Sequence, residues 1–451
     1  MRVWGRGPAL KIISLEVMKI KNKIINKNAK IGIIGLGYVG LPLVVEFAKA
    51  GFSVIGVEQN PEKVKKINNG KSYISDVPVK ELKRTVEQGK LRAVGDIKQL
   101  KHTDVICICV PTPLDRNKQP DISHVKSTTA HISKIIKKGQ LVILESTTYP
   151  GTTEEIVLPG LETSGLKAGK DFFLAFSPER VDPGNKKFKI KDVPKVVGGV
   201  STECGELAKL LYSQIVEDVF LVSSPRVAEM EKLLENIFRS VNIALVNEMA
   251  VLCKKMNIDI WEVVAAAKTK PYGFMPFSPG PGIGGHCIPL DPFYLSWKAK
   301  EYDLNTRFIE LSGEINDRMP EYVVQLVQDG LNQKKISLKG AKVLVLGVAY
   351  KKDIDDCRES PALKIIENLE KKGASVLYND PHVPELKMDG GMRSSTELDG
   401  RILKKCDCVV IATDHSSYDY KRIVEDASLI VDTRNATGNI QKIHSAKIIK
   451  I

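Results

Sequence analysis

A chain of 451 residues with 43% hydrophobic content can bury more than one core, which excludes a largely disordered protein and points to two or three domains. The formal net charge of +13 is concentrated at the start, where residues 1–30 carry eight Lys or Arg against the single Glu16. The rest is mildly basic, and no nucleic-acid motif or basic patch interleaved with aromatics follows, so nucleic acid is not an expected partner.

Residues 1–29 read as a basic extension. Lys11, Glu16, Lys19 and Lys21 interrupt every apolar run in it, so it is not a secretory signal. Met18 lies close before the first strand, and translation is expected to start there, leaving residues 1–17 dispensable; mass spectrometry of the native protein checks this. The uncharged run from Pro271 to Leu290 is long enough for a membrane span but is broken throughout by Gly and Pro. Eight cysteines without regular spacing suit reduced thiols in a cytoplasmic protein. Cys107 with Cys109, and Cys406 with Cys408, alternate along apolar strands as small hydrophobes, without the CxxC or His context of zinc, and no metal is expected.

From residue 30 the pattern is strand, Gly-rich turn, helix and strand, followed by strand-like runs at Val105–Val110 and Leu141–Glu145 with a helix after Asp121. This predicts an α/β, doubly wound, Rossmann-like domain over 30–224. Past Pro225, some thirty residues keep apolar positions at helical spacing without Gly or Pro, which predicts one long helix opening a central helical domain over 225–328. That helix suits both a spine joining two α/β domains and a packing surface for a second subunit. Four further strand-like runs, KVLVLGVAY, ASVLYND, CDCVVIATD and SLIVDTR, predict a second Rossmann-like domain over 329–451. Its LGVAYKKD turn lacks the third glycine of the dinucleotide fingerprint, so a different ligand is expected there.

Three motifs carry chemistry. Gly35, Leu36, Gly37, Tyr38, Val39 and Gly40 form GxGxxG between strand and helix, with Glu58 ending the next strand about twenty residues on. Gly35 allows the tight turn, Gly37 the approach of a pyrophosphate and Gly40 close helix packing. Glu58 would bind the adenosine ribose and repel a 2′-phosphate, so NAD is expected rather than NADP. Next, glycines surround Cys287, with Asp291 four residues later. A thiol there could attack a carbonyl carbon while the carboxylate orients a proton or water, although a buried cysteine in an irregular loop is the commoner reading of these residues by themselves. Lastly, Lys232 and Asn236 project from one helix face and suit a developing oxyanion, although such residues on a helix are commonly just solvated.

GLGYVGLP followed by ESTTYPGT, SPER, EMEKLLEN, PGPGIGGHCIPLDP and YKKDIDDCRESP resembles the UDP-glucose/GDP-mannose dehydrogenase family over residues 30–450. Within it, LESTTYPGTTEE and KPYGFMPFSPGPGIGGHCIPLDPFYL are most similar to the members that oxidise UDP-N-acetylglucosamine at C6. The resemblance implies an NAD-binding N-terminal domain, central helices carrying the active site and a dimer interface, a C-terminal domain for the UDP moiety, and a substrate between domains. It makes Cys287 the nucleophile, Lys232 and Asn236 stabilisers of the oxyanion, Asp291 a support for base chemistry, and Thr147 and Glu179 the residues that position and activate water. Pro111, Thr112, Thr147 and Arg358 join the Gly-rich turn in holding NAD; Glu179, Arg180, Lys232, Asn236, Gly284, Gly285, Lys351 and Arg434 contact the sugar nucleotide.

The implied reaction removes hydride from C6, captures the aldehyde on Cys287 as a thiohemiacetal, oxidises that to a thioester and releases the acid with water, consuming two NAD. Cationic Lys232 is expected to lower the Cys287 thiol pKa. Two positions depart from the UDP-glucose members: Leu290 stands where they carry Lys, and Asp182 and Pro183 lie where they carry a second acid. UDP-N-acetylmannosamine is therefore the competing substrate, ahead of UDP-glucose. A non-catalytic nucleotide-sugar binder would predict loss of Cys287, Lys232 or Asn236, and all three are present. A homodimer or higher homo-oligomer in a surface-polysaccharide pathway, such as capsule or O-antigen, is what the resemblance implies.

Overall fold

The computed structural model describes residues 15–451 apart from 75, 116–118, 181–187, 286–287, 389–390 and 441–445. Cys287, Asp182 and Pro183 therefore lie outside the described residues, as do most of residues 1–17. The chain forms two compact units, one running to Leu234 and one from Glu235 to Ile451.

The first unit holds a sheet of eight strands: β1 (Lys30–Ile34), β2 (Ser53–Val57), β3 (Leu91–Val94), β4 (Val105–Ile108), β5 (Leu141–Leu144), β6 (Phe173–Phe176), β7 (Lys195–Gly199) and β8 (Val219–Val222). Their order is β3-β2-β1-β4-β5-β6-β7-β8, parallel except where β6 meets β7. The first six follow the doubly wound dinucleotide-binding order. Strand alternation explains the layers: Val105 and Cys107 enter a core on one face, Ile106 and Ile108 one on the other.

A helix not foreseen in the basic extension spans Leu15–Ile25. Its Val17, Ile20 and Ile24 recur at helical spacing and join the core beside the helix Thr202–Tyr212, while its lysines stay outside. Val17, within the stretch expected to be dispensable, is buried in that core.

In the second unit β9 (Lys342–Leu346), β10 (Ser375–Asn379), β13 (Cys408–Ile411), β14 (Leu429–Asp432) and β15 (Lys447–Lys450) form a parallel sheet in the order β10-β9-β13-β14-β15, beside a hairpin of β11 (Glu385–Met388) and β12 (Gly391–Ser394). Val343 and Val345 face one core, Leu344 and Leu346 another. The first of these cores also takes in Met319, Val323 and Val327 of the helix Arg307–Gln333. The predicted long helix is continuous from Pro225 to Lys255 and contains the boundary between the units. Among the described residues no helix is long and apolar enough to cross a membrane.

Candidate active site

β1 runs into Gly35, whose φ of +87° favours glycine, and a Cβ there would lie 2.5 Å from the Cys109 carbonyl oxygen. A Cβ on Gly37 would meet nothing within 4 Å among the described residues. The helix Gly40–Lys49 that follows has Val39 at its N-cap, whose side chain cannot accept a hydrogen bond, so no side-chain cap competes with an anion there, although the Leu41 N–H already donates to the Gly37 carbonyl at 3.0 Å. Just after β2, Glu58 accepts from the Leu36 N–H at 3.4 Å and the Asn60 N–H at 3.0 Å and stays half-buried. Tyr73 Oη donates to the Leu36 carbonyl at 2.6 Å; burial, with Glu58 beside it, pushes this phenol up, so it acts as a neutral donor. Tyr38 is exposed on the turn.

The loops after β4 and β5 are stitched together at the carboxyl end of the sheet. Thr112 Oγ1 donates to the Thr147 carbonyl at 2.6 Å and Ser146 Oγ to the Val110 carbonyl at 2.7 Å, while Pro111 stays exposed. This is the edge on which open parallel sheets bind ligands. Open space at Gly37, an uncapped helix start and an accessible acid after β2 together fit a dinucleotide.

Glu179, in the loop after β6, is bracketed. Its backbone carbonyl accepts from Lys232 Nζ at 2.6 Å, its Oε1 from the Arg180 N–H at 2.9 Å, and its Oε2 lies 3.4 Å from Lys195 Nζ. Lys195 opens β7 and is buried, as is Glu145, whose Oε2 lies 3.0 Å away. Tyr212 donates to the other oxygen of Glu145. Burial works against the Lys195 ammonium, but Glu145 and Glu179 hold its pKa above the ordinary lysine range. Arg180 Nη1 donates to the Pro194 carbonyl at 2.6 Å and Nε lies 3.4 Å from Glu231.

Glu229, buried on the long helix, accepts from the backbone N–H of Gly151 at 2.5 Å and from the N–H and hydroxyl of Thr153 at 2.9 and 2.7 Å. It fastens the segment that follows Thr147 to the turn of helix that carries Lys232. Burial raises its carboxyl, and these bonds pull it back. Neither Lys195 nor Glu229 was singled out from sequence. Glu229 stands within the motif EMEKLLEN, whereas Lys195 lies 50 residues from Glu145 with no motif joining them.

In the second unit Asn236 Nδ2 donates to Asp291 Oδ2 at 2.6 Å, and both are buried. Asp291 is the first residue of the helix Asp291–Ala299, where a carboxylate is favoured by the helix dipole. The glycine loop before Cys287 is pinned at both ends: Asn247 Oδ1 accepts from the Gly280 N–H at 2.9 Å, and the Gly285 N–H, at φ +92°, donates to the Arg358 carbonyl at 3.0 Å. A Cβ on Gly284 would lie 2.7 Å from that of Tyr350 and 2.8 Å from the Glu359 carbonyl oxygen, so only glycine fits. Arg358 is exposed and forks onto Asp356 at 2.9 and 2.6 Å, Lys351 is half-buried, and Arg434 Nε donates to the Ala412 carbonyl at 2.9 Å.

The fold and the turn after β1 are those of a dinucleotide-binding protein. Models of the UDP-glucose/GDP-mannose dehydrogenase family match their NAD-binding domain to residues 29–216, their central domain to 226–318 and their UDP-binding domain to 344–439. The chain belongs to this family, and its cofactor is NAD. A UDP-N-acetyl-D-mannosamine dehydrogenase of Pyrococcus horikoshii is 37% identical over 90% of this chain and 95% of its own. A UDP-N-acetyl-D-glucosamine 6-dehydrogenase of Pseudomonas aeruginosa is 39% identical over 79% and 84%. The solved structure of the P. horikoshii UDP-N-acetylmannosamine dehydrogenase superposes with a TM-score of 0.86 at 35% identity, covering 94% of this chain and 99% of that one.

Proposed function

We propose that this dehydrogenase oxidises the C6 hydroxyl of UDP-N-acetylglucosamine to the carboxylate, with Cys287 as covalent nucleophile. The observation that carries the mechanism is the 2.6 Å bond from Asn236 to Asp291, the carboxylate four residues after Cys287. It holds a donor and an acid together beside the glycine loop, one helical turn beyond Lys232.

When bound, NAD supplies the hydride acceptor, two molecules for each sugar. Lys232 and Asn236 stabilise the oxygen that becomes anionic as the C6 hydroxyl loses its proton. The Cys287 thiol adds across the aldehyde so that sulfur bonds to C6 and the carbonyl oxygen takes the proton, restoring a carbon with hydride to give. After the second oxidation a water aligned by Thr147 and Glu179 attacks the thioester, releasing carboxylate and returning the proton to sulfur. Alcohol, two NAD and water thus become carboxylate, two NADH and three protons. Lys351, Arg434, Arg180, Gly284 and Gly285 contact the sugar nucleotide, and Arg358 the cofactor phosphates.

The gluco configuration is supported by the P. aeruginosa relative at 39% identity; the P. horikoshii relative and its TM-score of 0.86 favour the manno sugar as the second reading. An exposed stripe on the long helix, Val227, Met230, Leu234, Phe238, Leu245 and Leu252, suits a homodimer. The test is NADH formation with UDP-N-acetylglucosamine, UDP-N-acetylmannosamine and UDP-glucose in parallel. Two NADH per UDP-N-acetylglucosamine, abolished by Cys287→Ser, is the expected result. Preference for the manno sugar replaces the substrate and keeps the mechanism; no reduction with any of the three overturns both.

A further inference from the structure

The interior of the first unit holds more charge than a structural ion pair needs. Lys195 and Glu145 already neutralise each other at 3.0 Å, with side chains 7% and 0% exposed, and Tyr212 satisfies the second oxygen of Glu145. The Lys195 ammonium also lies 4.9 Å above the Tyr212 ring. Glu179 is then a second carboxylate on one ammonium, 3.4 Å away and 17% exposed, so it is the member of the trio that reaches toward solvent. A buried lysine is costly to ionise, and a fold that spends one here gains a fixed cation behind a carboxylate.

We propose that Lys195 is a positioning residue for Glu179, holding its carboxylate ionised and aimed for the hydrolytic half of the reaction. The inference rests on the role given to Glu179 above. Three contacts from different places in the chain converge on this one residue: Lys232 on its carbonyl, its neighbour's N–H on Oε1 and Lys195 on Oε2. Of these three, Lys195 is the one that brings a positive charge against the carboxylate, adding to the Arg180 N–H on Oε1, and it is itself anchored from behind by Glu145. Nearby, Lys232 Nζ is bonded to the Glu179 carbonyl and the Arg180 guanidinium to the Pro194 carbonyl and Glu231, while Cys107, Cys109 and Tyr212 are held protonated: burial first, then Glu145, pushes each of these three up. None of these three can replace the cation.

The experiment compares Lys195→Met, Lys195→Arg and Glu179→Gln in the full chain with NAD and UDP-N-acetylglucosamine, or UDP-N-acetylmannosamine if that is the sugar oxidised. Lys195→Met is expected to keep the initial NADH burst and to slow steady turnover at least about tenfold. An acyl adduct on Cys287 should accumulate in intact-mass spectra, and the acid limb of the kcat profile should move up by about one pH unit as Glu179 loses its cation. Lys195→Arg restores turnover and the limb. Should Lys195→Met fail to fold, Lys195→Met with Glu145→Gln removes the cation together with its buried partner and is expected to give the same profile. An unshifted acid limb with no adduct in a folded variant overturns the inference. So does a uniform loss of burst and turnover that Arg does not rescue. If Glu179→Gln alone stalls at the adduct, the role of Glu179 stands and only that of Lys195 falls; if Glu179→Gln turns over normally, the underlying reading of Glu179 falls as well.

Discussion

Each unit's sheet begins with a strand, a tight turn at a glycine of positive φ and a parallel second strand followed by a carboxylate, yet Glu58 and Asp380 serve different ends. Glu58 stays half-buried, accepting the Leu36 N–H at 3.4 Å and the Asn60 N–H at 3.0 Å. Asp380 is buried and consumed: its Oδ2 takes the N–H groups of Val348 and Ala349 at 2.7 and 3.0 Å and His415 Nε2 at 3.0 Å, and its Oδ1 takes the N–H of His382 at 2.8 Å. The first acid keeps accessible surface at its turn, whereas the second is satisfied from within by His415 and backbone N–H groups. A Rossmann-like strand pair is therefore a scaffold, in which the acid after the second strand can be left accessible or spent on internal bonds.

The largest test of this contrast is Asp380→Ala, which strands several buried donors at once and is expected to cost about 3–5 kcal/mol in urea unfolding. NAD affinity, measured where the variant is still folded, should stay unchanged; a parallel loss would erase the distinction. Gly37→Val probes the opposite case. Because a Cβ there meets nothing described within 4 Å, stability should change by under about 0.5 kcal/mol. The NAD dissociation constant should rise at least about tenfold, a loss of about 1.4 kcal/mol, and unaltered binding would remove the turn as the pyrophosphate cradle.

The smallest effect is in pH. Burial alone would raise the Asp380 carboxyl, but bonds from His415 and the N–H groups of Ala349 and His382 hold it below the ordinary value. A folded-state pKa below the unfolded one gives stabilisation that is full above about pH 4 and is lost as pH falls through the lowered folded value. The Tm difference between wild type and Asp380→Asn should therefore be constant from pH 6 to about 4 and narrow below it. A difference that widened on acidification would mean that Asp380 is not held ionised.

Much of this was legible because local signals and tertiary demands agreed. The spacing of Gly35, Gly37 and Gly40 and the apolar runs around them specified β1, its turn, the helix Gly40–Lys49 and β2, and the absence of Gly and Pro past Pro225 specified the long helix. The helix Leu15–Ile25 was hidden by its lysines, although Val17, Ile20 and Ile24 carry its period. β3, β6 to β8 and β15 are four- or five-residue segments whose short apolar runs do not distinguish strand from loop until a neighbour pairs with them. Within the candidate site, residues inside motifs could be named, while Lys195, Tyr212 and Glu145 meet only in three dimensions.

The buried thiols have a practical consequence for covalent labelling. The seven described cysteines are free. Burial pushes Cys107, Cys109, Cys204, Cys406 and Cys408 up and Cys357 to about 12, so at neutral pH each is a poor nucleophile toward an alkylating reagent. Cys253 is half-buried on the long helix and can be removed by substitution. If Cys287 is the nucleophile proposed above, iodoacetamide uptake in a Cys253→Ser background would count that thiol, a titration that needs no knowledge of the sugar.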